Sequence, residues 1–325
     1  MQEATADRLR GYYDFKPEVI DDVAEFAKFQ AGFETYRDFF GAVGVPEVGV
    51  VSHDGNTGTT VVDVRPKEHD AKSAIVLHLP MANPLDANQL FQVATIAGTN
   101  PDSRVIAFGN PSSGKHKGQK LSRAARYEVN HGFHESLVAD GVRYIEDQLI
   151  EITYEAGYSY GAMKVMVGAY FASHAIDNIV AIEPVSHSRS LVNLVRDFAS
   201  TDAALKTYTT APELDIYQGA RDDAVTLSEY AIGLIRPTNI AVARTLAKSS
   251  FRGLAFDARI KQPEASITLA WGTESELADD DVMSAMTDHF DRAGKNIATM
   301  RLKGQKHALA NDVHLHAAII KEALL

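Results

Sequence analysis

The 325-residue chain contains no cysteine, which excludes disulfides, a thiolate nucleophile and any zinc or iron–sulfur centre built on cysteine. It also lacks a membrane-spanning run: no apolar stretch approaches the about 18 residues that would cross a bilayer as a helix. Basic residues are outnumbered, 32 Lys and Arg against 43 Asp and Glu, giving a formal net charge of −11 and a pI near 5.5. Such a field repels nucleic acid and anionic lipid, so neither is expected as a partner. Met1 is followed by polar and charged residues rather than a leader-like apolar segment, and the expectation is an unprocessed, soluble, cytoplasmic chain. What is present is an ordinary globular composition, 45% hydrophobic and 23% charged, with enough apolar residues for one large domain carrying an insertion or for two domains.

Periodicity divides the chain. Over residues 1–45, Ile20, Val23 and Ala27, then Phe33, Tyr36 and Phe40, recur at helical spacing, and this predicts an N-terminal helical arm. Val48, Val50 and Val51 precede the turn-rich His53-Asp54-Gly55-Asn56-Thr57-Gly58, and Thr60, Val61, Val62 and Val64 follow it, the pattern of a β-hairpin. Short apolar runs then alternate with amphipathic stretches: Ala74 to Leu79, Arg104 to Phe108, Ile152 to Ala156, Ile179 to Ile182, Ser266 to Trp271 and Ile297 to Leu302. Continuous runs of this length indicate a mostly parallel sheet with helices on both faces, an α/β fold. Between Ser186 and Gln262 there is no strand pattern. Three helical patterns stand there instead: Leu191 to Phe198, Leu227 to Leu234, and Ala243 to Leu254. The division expected is an α/β core over 46–185 and 263–325, a helical cap over 186–262, and a last helix through Val313, Ala317, Ile320 and Leu324 against the sheet.

Gly157-Tyr158-Ser159-Tyr160-Gly161 follows the run Ile152 to Ala156 and precedes a helical stretch through Met163, Val167 and Tyr170. This is G-x-S-x-G in the strand-to-helix context it requires. A serine on so sharp a turn takes strained backbone angles, and the residues two before and two after it must be small where backbone passes close by. Ser159 is thereby expected above the carboxyl end of the sheet, at a helix N-terminus whose dipole favours developing negative charge.

From about Val48 to its end the sequence resembles the α/β-hydrolase superfamily: hairpin, early strands, serine elbow, cap, late acid strand and histidine loop come in that order. The resemblance implies Ser159 as nucleophile and His307, in Lys303-Gly304-Gln305-Lys306-His307-Ala308 after the run Ile297 to Leu302, as general base. For the acid, the family commonly shows Gly followed by Asp three residues later. Here Trp271-Gly272-Thr273-Glu274-Ser275-Glu276 places Ser275 there, and the variant with Ser before the acid makes Glu276 the carboxylate. Glu183, at the end of Ile179 to Ile182, is the alternative, since some members carry the acid after that strand. For the oxyanion hole the resemblance implies the Tyr160 N–H and, because Pro80 has no N–H to give, that of Met81. It further implies a hydrolase of the carboxylesterase, lipase or thioesterase type acting on a small ester-like substrate, with no cofactor, and the apolar character of the expected cap points to a hydrophobic one; the alternative is a catalytically degenerate member with a binding or structural role.

Other motifs weigh less. Gly109-Asn110-Pro111-Ser112-Ser113-Gly114-Lys115 spells most of a phosphate-binding loop, but His116 stands where a magnesium-holding Ser or Thr is needed. Lys115, Lys117, Lys120, Arg123 and Arg126 form a basic stretch of the kind usually found on a solvated face. His131 and His134 lack a third ligand nearby, and His314 and His316 are two apart on a helix and cannot share a face, so no metal site is expected.

Overall fold

The computed structural model describes residues 47–51, 59–66, 73–80, 92–93, 96–97, 99–100, 102–109, 121, 123–148, 150–186, 190, 193, 237–247, 250–294, 297–307, 309 and 313–324. The expected arm over 1–45, the phosphate-loop look-alike beyond Gly109, and the helical patterns at Leu191 and Leu227 lie outside them.

The valine-rich pair forms the hairpin: β1 (Glu47–Val51) and β2 (Thr59–Val64) run antiparallel, with Val50 opposite Thr60. The six later runs become β3 (Ser73–His78), β4 (Arg104–Phe108), β5 (Ile152–Tyr158), β6 (Ile176–Ile182), β7 (Ser266–Gly272) and β8 (Ala298–Leu302). All eight make one sheet in the order β1-β2-β4-β3-β5-β6-β7-β8. β2 pairs β4 antiparallel, and every pair from β4 to β8 is parallel. The chain leaves β3 for β4 on one side and returns to β5 on the other, so the order reverses at the seam between β3 and β5. In open α/β sheets the crevice beyond the carboxyl ends at such a reversal is where ligands bind.

The continuous apolar runs divide between two faces with the strand period of two. From β6 and β7, Ile179, Ala181, Ile267, Leu269 and Trp271 face one core, while Val180, Ile182 and Ala270 face the other. Over the first face lie α1 (Arg123–Asn130), α2 (Glu135–Asp147), α3 (Tyr160–Phe171), α4 (Pro237–Leu246), α5 (Phe251–Lys261) and α6 (Asp280–Arg292). Over the second lie Val93, Ile96 and α7 (Val313–Ala323), which brings Ile319 and Ile320 to the sheet. Every residue of α3 from Tyr160 to Ala169 is buried, as befits a helix held between the sheet, α2 and α5.

The helical pattern from Ala243 to Leu254 resolves into two helices, because Ser250 takes an extended backbone (φ −111°, ψ 113°) and starts α5 anew. α5 packs against α3 through a face that buries Phe251, Ala255 and Ala258. This last part of the segment expected as cap therefore lies in the layer that covers the sheet. Among the described residues no strand lies between β6 and β7, and no helix is long and apolar enough to cross a membrane.

Candidate active site

The apolar run of β5 ends at Tyr158 and α3 starts at Tyr160, leaving Ser159 alone to make the turn, at φ 56° and ψ −118°. Its N–H still donates to Ile182 O at 2.8 Å, so the strand ladder pins the strained residue. The flanking glycines are required by contact. A Cβ on Gly157 would lie 2.3 Å from Gly161 O, and one on Gly161 would lie 1.9 Å from His78 O at the end of β3.

One strand along, Glu183 repeats the pattern. It follows β6 directly, has φ 51°, and donates its N–H to Ala270 O at 2.7 Å. Tyr158 and Ile182 are register partners, so Ser159 and Glu183 stand side by side at the sheet's rim. The Glu183 carboxylate accepts from the Gly272 N–H through Oε1 and from the Ser275 hydroxyl through Oε2.

His307 arrives from the loop after β8, and that loop is fastened to the exit of β7. Thr273 N–H donates to Leu302 O at 2.9 Å, Glu274 N–H to Gln305 O at 3.0 Å, and Gly304 N–H to Thr273 Oγ1 at 2.9 Å. The imidazole then bridges the two rim residues: Nε2 lies 2.9 Å from Ser159 Oγ and Nδ1 lies 3.1 Å from Glu183 Oε2. Ser159, His307 and Glu183 are 4%, 2% and 0% exposed, so the relay is nearly dry and its electrostatic interactions are strong. Burial pushes the Glu183 carboxyl above its ordinary value, against the pull of His307, Ser275 and the Gly272 N–H.

No family model matches the sequence, and no curated protein matches it either. Solved structures do. The enol-lactonase of Burkholderia xenovorans LB400 aligns over 85% of this chain and 99% of its own, with TM-score 0.59 and 13% identity. Proline iminopeptidase of Mycobacterium smegmatis aligns over 86% and 99%, with TM-score 0.55 and 13% identity. A Pyrococcus furiosus esterase aligns over 86% and 91%, with TM-score 0.54 and 12% identity. The chain has the α/β-hydrolase fold.

Within this α/β-hydrolase fold the expected site residues fall unevenly. Ser159 and His307, 148 positions apart, meet. The carboxylate beside His307 is that of Glu183, not of Glu276, which corrects the preferred reading. The reason lies in the loop after β7, where Ser275 is the residue turned inward: its hydroxyl donates to Glu183 and accepts from the Leu277 and Ala278 N–H groups. Glu276 beside it is half-buried, and its Oε2 has no hydrogen-bond partner among the described residues.

Tyr160 opens α3, where the first backbone N–H groups of a helix have no intrahelical acceptor. Leu79 N–H is committed to Phe108 O at 3.2 Å, and Pro80 has none. Met81 lies outside the described residues. Behind the elbow the Tyr160 phenol, 1% exposed, is hydrogen-bonded to His134 Nδ1 at 3.2 Å. Burial raises that phenol, lowers His134 to about 4, and lowers Lys164, whose Nζ lies 5.9 Å from the Tyr160 ring centroid, to about 7.

The decoy histidines separate. His131 is exposed and bonded to Tyr127 O, His134 and His316 are buried on other partners, and no metal-holding group occurs among the described residues. Sequence reading missed the Gly272 N–H and Ser275 as holders of the carboxylate. The available signal was the short hydroxyl of Ser275 where the family commonly carries Asp, which leaves room for a carboxylate from the neighbouring strand. It also missed Tyr158, whose hydroxyl donates to His307 O at 2.6 Å and whose ring stacks on the imidazole.

Proposed function

We propose that the chain is a serine hydrolase that cleaves an ester-like bond through an acyl-enzyme. The observation that carries the reading is the hydrogen-bonded relay from Ser159 Oγ through both nitrogens of His307 to Glu183, assembled at the carboxyl ends of neighbouring strands.

In this reading His307 Nε2 takes the Ser159 proton as the hydroxyl attacks the carbonyl carbon. Glu183 holds Nδ1–H, which fixes the tautomer that leaves Nε2 free to accept, and it stabilises the imidazolium that forms. The tetrahedral oxyanion is held by the Tyr160 N–H at the start of α3 and by the Met81 N–H. Collapse breaks the carbonyl carbon to leaving-group oxygen bond, and the imidazolium hands its proton to the departing alkoxide. A water deprotonated by the same histidine then attacks the acyl-serine, releases the acid and restores the Ser159 hydroxyl. No step uses a cofactor. A cap, expected from the sequence between β6 and β7, selects a small, predominantly hydrophobic substrate.

The Burkholderia enol-lactonase and the Pyrococcus esterase are named for ester-type bonds and the Mycobacterium iminopeptidase for a peptide bond. p-Nitrophenyl esters of increasing acyl length are therefore the first substrates to assay, with a proline anilide as the contrasting one. A fluorophosphonate probe should label the chain, and both labelling and ester cleavage should vanish in Ser159→Ala. The degenerate, non-catalytic reading draws on one observation, the absence of a free N–H at Leu79 and Pro80. Well-folded protein that resists the probe decides for it.

A further inference from the structure

We propose that Tyr158, the residue before the nucleophile, is the positioning residue of the base, holding His307 at once by its backbone and by its ring. The inference rests on the hydrolase reading above and extends it.

A histidine on a loop has to be fixed in two ways before its Nε2 points at a hydroxyl: the loop must be anchored, and the ring must be kept from turning about its side-chain bonds. The contacts between the loop and the exit of β7 reach Gly304 and Gln305, and none of them is made by His307 itself. Tyr158 supplies both constraints there. Its hydroxyl donates to the carbonyl of His307 at 2.6 Å, and a phenol has only this one proton to give. Its ring lies against the imidazole, with centroids 5.4 Å apart and planes 29° apart. The side of the imidazole covered by Tyr158 is closed to rotation, while the ring edge keeps its two bonds to Ser159 and Glu183.

Tyr158 can act as a fixed reference because it is itself immobilised. It ends β5 in register with Ile182, is 7% exposed, and packs in the core beneath α7. On that side His316 of α7 lies 6.3 Å from it between ring centroids, and His316 is in turn bonded to Gln92. Nucleophile and clamp are adjacent residues on one strand end. A small shift of that strand end carries Ser159 Oγ and the anchor of His307 together, so their separation is kept. Reacting groups must hold their places within about 0.5 Å, and misplacement by about 1 Å lowers rates about 100-fold.

The test compares Tyr158→Phe, which removes only the hydroxyl, with Tyr158→Met, which removes the ring as well, using a p-nitrophenyl ester. Tyr158→Phe should lower kcat about tenfold with KM unchanged, and Tyr158→Met about 100-fold. In a His307→Ala background, Tyr158→Phe should cause no further loss, since its effect runs through the imidazole. A merely structural role gives equal losses with and without His307, and that result overturns the proposal, as does a wild-type kcat in Tyr158→Phe. Independently of any variant, 15N relaxation of the His307 ring in the unsubstituted protein should show a single rigid orientation, and rapid ring reorientation overturns the proposal too. Undiminished ester cleavage by Ser159→Ala sinks the hydrolase reading instead. An inert Ser159→Ala beside a fully active Tyr158→Phe sinks only the role of Tyr158.

Discussion

Glu183→Gln exchanges one carboxylate oxygen for an amide nitrogen without changing shape, and the donors around it decide the outcome. Oε1 faces one donor, the Gly272 N–H, and Oε2 faces two, the Ser275 hydroxyl and His307 Nδ1. If the amide oxygen stays toward Gly272, its NH2 group confronts Nδ1, which must then accept. The imidazole is forced into the tautomer with its proton on Nε2 and cannot take one from Ser159. If the amide flips, two N–H donors oppose each other at Gly272 in a fully buried position, a clash of about 1–3 kcal/mol. In either orientation the imidazolium of the transition state loses its counter-charge. The expected fall in kcat is about 10⁴-fold, equivalent to about 5 kcal/mol of barrier. Folding should survive, because burial already disfavours the charged form at this position. The assay is steady-state cleavage of a p-nitrophenyl ester by Glu183→Gln and Glu276→Gln side by side, each checked by a cooperative melt. Glu276→Gln should stay within about threefold of wild type, as expected of a substitution outside the relay. A Glu183→Gln enzyme within tenfold of wild type, or a larger loss in Glu276→Gln, refutes the assignment.

Ser275→Ala removes one of the three donors to the carboxylate and should lower kcat about tenfold with KM unchanged, measured on the same ester. Gly161→Ala places a methyl group 1.9 Å from His78 O, where only backbone movement can make room; a loss of several kcal/mol is expected, read as little or no soluble folded protein. Acid should destabilise the fold in two stages. Burial lowers His134 and His316 from 6.5 to about 4, so the unfolded chain binds more protons; their contribution is whole above about pH 6.5 and lost as the pH falls toward 4. The unfolding free energy from urea titration should drop by on the order of 3 kcal/mol between pH 7 and pH 5, and an unchanged value contradicts the burial of both rings. Glu155 follows: burial alone would raise it, but His174 and His78 outweigh burial and hold it near 2, so its share is present above pH 4.5 and lost toward pH 2.

How much of the molecule is legible in its sequence varies with how local the cause is. β4 occupies Arg104–Phe108, the run the sequence marks, because all five residues are buried. β6 begins three residues before its apolar run, at Ile176, since Asp177 and Asn178 interrupt the hydrophobic signal at the strand's starting end. Ser159 and its glycines can be read because strand, turn and helix are contiguous in the chain. The carboxylate cannot. Glu183 and Glu276 both follow apolar strands, and the choice depends on β6 lying between β5 and β7, which sets Glu183 between the serine and the loop that carries Ser275. The contact between Tyr158 and His307 spans 149 positions and leaves no periodic trace.

Ser159 and Glu183 are the non-glycine residues with positive φ among those described. Each such conformation costs about 1–3 kcal/mol, and glycine would relieve much of it at either place. A lineage selected for durability alone would drift toward glycine at position 159, gaining heat resistance and losing a hydroxyl, whereas glycine at 183 would leave three buried donors without their carboxylate. This chain retains both tensed residues, held down by Ile182 and Ala270. Ser159→Gly should therefore lose turnover while its melting temperature does not fall.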